Sequence, residues 1–295
     1  MGRTSTATTT SLATFVMIGP GKAGTTWVYG LLKAHPEVSV AAAKETMFFD
    51  AYYHKGVDWY HRLYPRCDGY KAVGEVSNTY IFSEEAPARM RAYNPALKLV
   101  TSLRNPIDRA FSNYLFWLRN AQVAGSFEDV LAARRNDLLD QGRYAHHLGR
   151  YLMHFPRDQL LVLAFDDLQR DPLGYGRELL EFIGVDASHV PEVAANKVLG
   201  AARPRSRLAA RLVKGAAAAV RRAGLPGVVT RVKGGALPRA LYREYGADEY
   251  PSMRPETRAE LSRYFAADVA RLSEVTGRDY AALWFGDPGQ PPSIT

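Results

Sequence analysis

The sequence predicts an α/β fold in which a central, mostly parallel sheet lies between two layers of helices. Short apolar runs of strand length alternate with segments of helical periodicity, which is the pattern of a parallel sheet. The first apolar run ends at a glycine-rich turn that leads directly into a helix. No linker rich in Pro, Ser and Gly divides the 295 residues, so we expect one domain over 14–295 after a disordered segment, 1–13.

Four apolar runs are predicted strands, and the segments of helical periodicity are predicted helices. The strands are Phe15–Gly19, Ala72–Val76, Leu97–Leu103 and Leu160–Phe165. The helices are Thr25–Ala34, Pro106–Asn120, Phe127–Leu139, Tyr144–Phe155, Leu168–Ile183 and Pro255–Leu272, followed by a closing segment, Asp279–Trp284. Ligands of such sheets bind beyond the carboxyl ends of the strands, so the loops that follow the strands are the first places to search for a site.

Composition narrows the class of protein further. Hydrophobic residues make up 47% of the chain, which is enough for a core and excludes an intrinsically disordered protein. Cys67 is the only cysteine, which excludes an intramolecular disulfide and a Cys-based zinc site, and the His146–His147 pair lacks metal-ligand spacing.

Met1–Ala13 has no signal-peptide core, and no apolar run reaches about 18 residues. We therefore expect a cytoplasmic protein with no metal and no stable membrane insertion.

The positive charge is concentrated in one segment. The net charge is +8, and residues 197–240 contain eleven Lys or Arg and no Asp or Glu. Such a segment attracts anions, whether a nucleotide phosphate, a polyanionic acceptor or a lipid surface, although it can also be a solvated basic face. It contains no Phe, Tyr or Trp, which argues against nucleic acid as a partner. The segment, at about 197–240, could form a lid-like segment, an interfacial membrane helix or a platform for an acidic acceptor, and these alternatives stay open.

The loop Gly19–Thr26 reads Gly-Pro-Gly-Lys-Ala-Gly-Thr-Thr and has the composition of an anion site. Its glycines let the backbone N–H groups turn inward, the following helix presents its positive end, and Lys22 adds a full charge. A Walker A loop places its lysine directly before the hydroxyl residue, whereas Lys22 comes earlier in this loop. The fold is therefore P-loop-like, but the loop disfavours an NTPase. The residues that we expect to bind the anion are Lys22, Ala23, Gly24, Thr25, Thr26 and Trp27.

A second motif follows the predicted strand that ends at Leu103. Arg104 stands at the carboxyl edge of this strand, and Ser112 lies on the helix that begins at Pro106. The planar fork of an arginine and the hydroxyl of a serine can hold one phosphate between them. The alternative is a surface pair formed by Asp108 and Arg109, with Arg104 as a capping residue.

Together the two motifs resemble those of sulfotransferases that use 3′-phosphoadenosine-5′-phosphosulfate (PAPS). The loop resembles their 5′-phosphosulfate loop, and Leu99–Tyr114 resembles their 3′-phosphate motif. The likeness spans roughly 14–285 and is closest to a bacterial-type member of the heparan sulfate and carbohydrate branch, through Phe48–Asp50 and Tyr53–Tyr60. It implies PAPS as donor and adenosine 3′,5′-bisphosphate as product.

The resemblance also implies catalytic roles. Glu45 falls where the glycosaminoglycan enzymes carry a catalytic glutamate ahead of a Phe-Phe pair, so it is the predicted general base. Lys22 is predicted to stabilise charge on the bridging oxygen as the nucleotide leaves. Some relatives have His at the position of Met47 and Lys at the position of Val76, so this chain lacks one charge there.

Further residues are assigned to the acceptor and to the closing of the donor site. Glu75, His54 and Lys55 are the predicted acceptor-binding residues. A late flexible stretch covers the donor in this family, which implies Arg203 and Arg205 here, and the choice among the arginines of 203–207 stays open.

We therefore predict an enzyme that transfers a sulfuryl group from PAPS to a hydroxyl, less favourably an amine, of a carbohydrate or small natural product. One alternative is a nucleotide-dependent phosphotransferase with a divergent P-loop. Another is a non-catalytic binder whose basic segment docks on an anionic partner or membrane surface. The identity of the acceptor and the oligomeric state are left open.

Overall fold

The computed structural model describes residues 13–65, 68–192, 202–204, 242–244 and 251–286. The chain divides into two compact units, and of the described residues 13–102 and 152–192 form the first, while 103–151 and 202–286 form the second. The predicted N-terminal segment up to residue 12 and most of the basic segment lie outside the described residues. One domain over 14–295 stays a prediction.

A five-stranded sheet forms the centre of the first unit and confirms the α/β prediction. Its strands are β1 (Phe15–Gly19), β2 (Val38–Val40), β3 (Ala72–Val76), β4 (Lys98–Leu103) and β5 (Leu160–Ala164). Their order is β2-β3-β1-β4-β5, with β1 parallel to β3 and β4, and β2 parallel to β3. Since β1 lies between β3 and β4, the loop that follows β1 is flanked by the carboxyl ends of both neighbours. The sequence pattern does not predict β2, which has only three residues.

Helices and short 3₁₀ turns connect these strands and make up most of the described part of the second unit. The helices are α1 (Thr25–Ala34), α2 (Val57–His61), α3 (Ala86–Tyr93), α4 (Pro106–Arg119), α5 (Phe127–Leu139), α6 (Tyr144–Leu152), α7 (Phe165–Arg170), α8 (Pro172–Ile183), α9 (Pro255–Thr276) and α10 (Tyr280–Phe285). The 3₁₀ turns are Tyr53–Lys55, Tyr80–Phe82, Asp140–Gly142 and Arg157–Gln159. A short antiparallel pair, β6 (Ala202–Pro204) and β7 (Tyr242–Glu244), belongs to the second unit.

The single helix predicted over Leu168–Ile183 is wrong, because the structure has two helices there. Asp171 stands between α7 and α8 with φ −141° and ψ 81°, outside the helical region. Pro172 disfavours helical backbone at the residue before it and is well suited to the first position of α8. The Asp171 carboxylate accepts from the Gly174 amide at 2.9 Å and so caps the new helix.

The core of the first unit holds α1 and α8 in one apolar cluster with strand residues. Val28, Leu31 and Leu32 of α1 are fully buried, as is Leu180 of α8. At about 1.5–3 kcal/mol for each large apolar side chain removed from water, this contact fixes the direction of α1. The loop between β1 and α1 is therefore held at both ends by buried elements.

In the second unit, a buried guanidinium ties α4 to the end of α5. Arg109 is 1% exposed and donates to the Leu138 carbonyl at 2.7 Å and to Gln141 Oε1 at 3.0 Å. Asp108 accepts from Arg258 of α9 at 2.5 Å. The alternative of a surface pair between Asp108 and Arg109 is therefore wrong, since Arg109 has a structural role inside the unit.

None of the helices in the described part of the chain is both long and apolar enough to cross a membrane. The same part of the chain contains no group of three or more His, Cys, Asp or Glu side chains placed to hold a metal ion.

Candidate active site

The loop after β1 turns sharply against the end of β3. The Gly21 amide donates to the Asn78 carbonyl at 3.1 Å. Gly19 has φ +108°, and a Cβ there would meet the Asn78 backbone at 2.8 Å, so only glycine fits this approach. Lys22 and Gly24 follow with φ +77° and +83°. Because a lysine rarely adopts positive φ, the loop is locally strained, as is common at binding sites.

The loop leads into α1, and the N-terminus of this helix suits an anion. The N-cap of α1 is Gly24, which provides no side-chain hydrogen bond, and the first turn contains no acidic residue. The first N–H groups of any helix lack partners within the helix and carry its partial positive charge. The start of α1, at Thr25, Thr26 and Trp27, therefore fits a phosphate or sulfate group.

Gly24 is expected to be sensitive to a single added methyl group. A Cβ at Gly24 would lie 2.6 Å from Leu168 Cδ2, in addition to the strain of an alanine at φ +83°. We expect Gly24→Ala to lower the free energy of unfolding by about 2–4 kcal/mol, measured by urea denaturation. Gly69→Ala is the matched control, since Gly69 has φ +82° but no atom within 4 Å of the added Cβ. Equal losses in the two variants would contradict the packing argument.

Two side chains join this loop to the segment after β2. Lys44 Nζ lies 3.1 Å from the hydroxyl oxygens of both Thr25 and Thr26. Asn78 accepts a hydrogen bond from the Thr25 hydroxyl at 2.7 Å and donates its own amide proton to Glu45 Oε1. Glu45, the predicted base, is thus linked through one amide side chain to the predicted donor loop.

Lys44 and Asn78 are not among the residues that the sequence predicts for the site. Asn78 comes two residues after β3, and the carboxyl ends of parallel strands meet at one edge of a sheet, so its position after a predicted strand was a usable signal. Lys44 adjoins Glu45 in the chain, but its contact with the loop depends on the fold of both segments.

The backbone holds Glu45 in a conformation that few non-glycine residues adopt. Glu45 has φ +67° and Met47 has φ +57°. The Glu45 amide donates to the Val76 carbonyl at 3.0 Å, which fixes this turn to the end of β3. The Glu45 side chain is 41% exposed, so its carboxylate is open to an incoming molecule while its backbone is fixed. A positioned, accessible carboxylate can act as a proton acceptor.

Beneath this turn, Glu75 is enclosed by hydroxyl groups. Its side chain is fully buried, and its carboxylate accepts from Thr46 at 2.5 Å, Tyr60 at 2.9 Å and Tyr80 at 3.3 Å. Burial raises the pKa of Glu75 from 4.5 to about 7, while the hydrogen bonds from the three hydroxyls lower it. Glu75 is predicted to bind the acceptor, and in the structure its contacts are with Thr46 and the tyrosines.

The other predicted acceptor residues lie on the 3₁₀ turn Tyr53–Lys55. His54 is exposed, whereas Lys55 Nζ lies 4.6 Å from the ring centre of Tyr52 and 4.7 Å from that of Trp59. Trp59 in turn packs against Phe48 with ring centres 6.3 Å apart. This aromatic contact places the Lys55 turn beside the segment that carries Glu45.

The residues predicted for the 3′-phosphate belong to the second unit. Arg104 directly follows β4, and its carbonyl accepts from the Tyr144 hydroxyl at 2.9 Å. Ser112 is partly buried on α4, and the backbone of β6, which includes Arg203, lies beside the same helix. Arg205 lies outside the described residues. The convergence of these side chains on one phosphate stays a prediction.

Comparison with known proteins assigns the family. Residues 13–200 match the protein family described as "Sulfotransferase domain". The chain belongs to the sulfotransferase family, an enzyme family, and this confirms the resemblance seen in its motifs.

Among curated relatives, the mouse (Mus musculus) heparan sulfate glucosamine 3-O-sulfotransferase 3B1 is 36% identical over 178 residues, which are 58% of this chain and 45% of that protein. The human (Homo sapiens) bifunctional heparan sulfate N-deacetylase/N-sulfotransferase 2 is 33% identical over 198 residues, which are 59% of this chain and 22% of that protein. The chain thus spans less than half the length of these relatives. A solved sulfotransferase from Alicyclobacillus acidocaldarius matches 92% of this chain and 98% of its own, with a TM-score of 0.67 and 26% identity.

Proposed function

We propose that this chain transfers a sulfuryl group from PAPS to a hydroxyl of a carbohydrate acceptor, in a cytoplasmic location. The observation that carries the proposal is the hydrogen-bonded path from the Thr25 hydroxyl through Asn78 to the Glu45 carboxylate. It joins an anion-binding loop to an accessible proton acceptor, which are the two parts that group transfer to a hydroxyl needs. The similarity to a glucosamine 3-O-sulfotransferase supports a sugar hydroxyl as the acceptor.

The donor is held by charges and backbone dipoles in this proposal. The first N–H groups of α1, including the amide of Thr25, together with the hydroxyl of Thr26 and the ammonium of Lys22, bind the phosphosulfate, because this helix start has no capping side chain and no acidic residue. Arg104 and Ser112 bind the 3′-phosphate, which ATP lacks. These donor contacts need no metal ion.

In the reaction, Glu45 accepts the proton of the acceptor hydroxyl as the acceptor oxygen forms a bond to sulfur. The bond between sulfur and the bridging oxygen breaks, and its electron pair stays on the 5′-phosphate of the departing adenosine 3′,5′-bisphosphate. Lys22 stabilises the charge that develops on that oxygen. Because the transition state is loose, positioning and charge stabilisation provide most of the rate enhancement.

On the acceptor side, the turn that carries His54 and Lys55 provides a cation beside aromatic rings. An ammonium held over Tyr52 and Trp59 can pair with a carboxylate or sulfate of a sugar, while ring faces pack against its apolar surface. We therefore propose an acidic carbohydrate as the acceptor class, with a neutral small natural product as the alternative to be compared in turnover assays.

Nucleotide-dependent thermal stabilisation tests the proposed function. At a hundredfold excess over Kd, adenosine 3′,5′-bisphosphate is expected to stabilise the folded state by about 2.7 kcal/mol. For a chain of this size that corresponds to a rise in Tm of about 4–5 °C in a scanning fluorimetry experiment. Adenosine 5′-monophosphate, which lacks the 3′-phosphate, is the matched control and is expected to give a much smaller rise.

ATP with magnesium is the opposing arm of the same experiment. Stabilisation by ATP and magnesium, with none by adenosine 3′,5′-bisphosphate, would contradict the proposal and support the divergent phosphotransferase. An unchanged affinity for the bisphosphate in both Lys22→Ala and Arg104→Ala would show that the assigned pocket is wrong.

A further inference from the structure

We propose that Lys44 contacts the transferred sulfuryl group, so that the site binds the sulfated donor more tightly than the desulfated product. The inference rests on the proposed function and adds a residue that neither the motifs nor the family match assigns. Its basis is the position of one ammonium between the donor loop and the carboxylate of Glu45.

The Lys44 ammonium is placed by contacts on two sides. Nζ lies 3.1 Å from the hydroxyl oxygens of Thr25 and Thr26, which begin α1. It lies 4.0 Å from Glu45 Oε1, which is longer than a hydrogen bond. The side chain is 20% exposed, so most of its surface is removed from water.

These contacts orient the hydroxyls as well as the ammonium. Each threonine oxygen accepts from Lys44 and keeps its own proton for donation, and the Thr25 proton goes to Asn78 Oδ1 at 2.7 Å. Thr26 is exposed, and its hydroxyl can donate to an oxygen of the donor. Lys44 therefore acts on the donor both by its own charge and by turning a hydroxyl donor outward.

The direction of the reaction explains why this position matters. The sulfuryl group leaves a phosphate that lies at the start of α1 and joins an oxygen whose proton Glu45 accepts. A cation in contact with the start of α1 and 4.0 Å from that carboxylate borders the path between them. Charge on the transferred group is spread over its outer oxygens in the transition state, and a partly desolvated ammonium stabilises such charge more strongly than water does.

The end of β3 provides no cation beside Glu45. Val76 is the last residue of β3, is 1% exposed and lies next to Glu45 through the hydrogen bond between its carbonyl and the Glu45 amide. The segment after β2 therefore brings both the base and the neighbouring charge, as the adjacent residues Lys44 and Glu45.

Calorimetric titration of the full chain with PAPS and, separately, with adenosine 3′,5′-bisphosphate tests this inference. Lys44→Met keeps the apolar stem and removes the charge, and we expect it to raise Kd for PAPS about 10- to 100-fold but Kd for the bisphosphate less than about 3-fold. Lys44→Arg is expected to restore most of the preference for PAPS. Lys33→Met is the matched control, since Lys33 is an exposed lysine of α1, and it should leave both affinities unchanged.

The outcomes separate the two levels of the proposal. A wild-type chain that binds neither nucleotide would overturn the proposed function itself, and this is seen before any substitution is made. A wild-type chain that binds both, with Lys44→Met weakening both ligands equally or neither, would overturn the sulfuryl contact alone. Circular dichroism establishes that the variant is folded, and Lys44→Gln replaces it if Lys44→Met is not.

Discussion

Replacing Glu45 by glutamine is expected to lower kcat for sulfuryl transfer by about 10²–10⁴-fold, the usual contribution of a general base. The variant loses the ability to accept the proton of the acceptor hydroxyl. Its amide oxygen can still accept the hydrogen bond from Asn78, so the link to the donor loop is kept. Affinity for adenosine 3′,5′-bisphosphate should therefore stay within about twofold of the wild type, since ΔΔG for binding remains small.

The measurement combines radiolabelled sulfuryl transfer with nucleotide titration, so that the loss of chemistry is separated from the loss of binding. Glu85→Gln is the control, because Glu85 is an exposed carboxylate of the same unit. Glu45→Asp should keep part of the activity, since it retains a carboxylate at a shorter reach. A Glu45→Gln enzyme with wild-type turnover would remove Glu45 from its role as base.

The second large effect is expected in the pH dependence of stability, through Glu75. Its pKa in the folded state is about 7, because burial disfavours its charge, compared with 4.5 for an ordinary glutamate. Between these pH values the folded state keeps a proton that the unfolded state has released. Stability from this group is therefore fully present below about pH 4.5 and is lost as pH rises through 7, by about 3 kcal/mol in all.

Glu75→Gln should remove this dependence, because glutamine has nearly the same shape and does not titrate. Urea denaturation at several pH values from 4.5 to 8 gives the free energy of unfolding of wild type and variant. The contribution of Glu75 is the difference between the slopes of this free energy against pH. Glu75→Ala should instead lose stability at every pH, since it leaves a cavity and deprives Thr46, Tyr60 and Tyr80 of their acceptor. The same slope in wild type and Glu75→Gln would mean that another group titrates in this window.

Local signals were sufficient to predict the fold class and the turn between β1 and α1. The bounds of β1 and α1 agree with the predicted Phe15–Gly19 and Thr25–Ala34, because an apolar run, a glycine turn and a helical pattern each depend on neighbouring residues. The break at Asp171 was also readable from Pro172, but the apolar spacing on its two sides suggested one continuous helix.

The contacts of the site were less predictable, because they depend on segments that are distant in the chain. The role of Asn78 requires that β3 pair with β1, so that its side chain reaches both Thr25 and Glu45. Glu75 stands in an otherwise apolar strand, and its burial depends on three hydroxyls from other segments of the chain. No local pattern shows that these hydroxyls meet one carboxylate.

The bridge made by Asn78 has a mechanical consequence. Its side-chain amide donates to the Glu45 carboxylate and accepts from the Thr25 hydroxyl, and its backbone carbonyl accepts from the Gly21 amide. A displacement of the loop is therefore expected to be transmitted to the carboxylate through this single residue. One side chain thus sets the separation between the Thr25 hydroxyl and the Glu45 carboxylate, and this does not require the loop and the Glu45 segment each to be rigid.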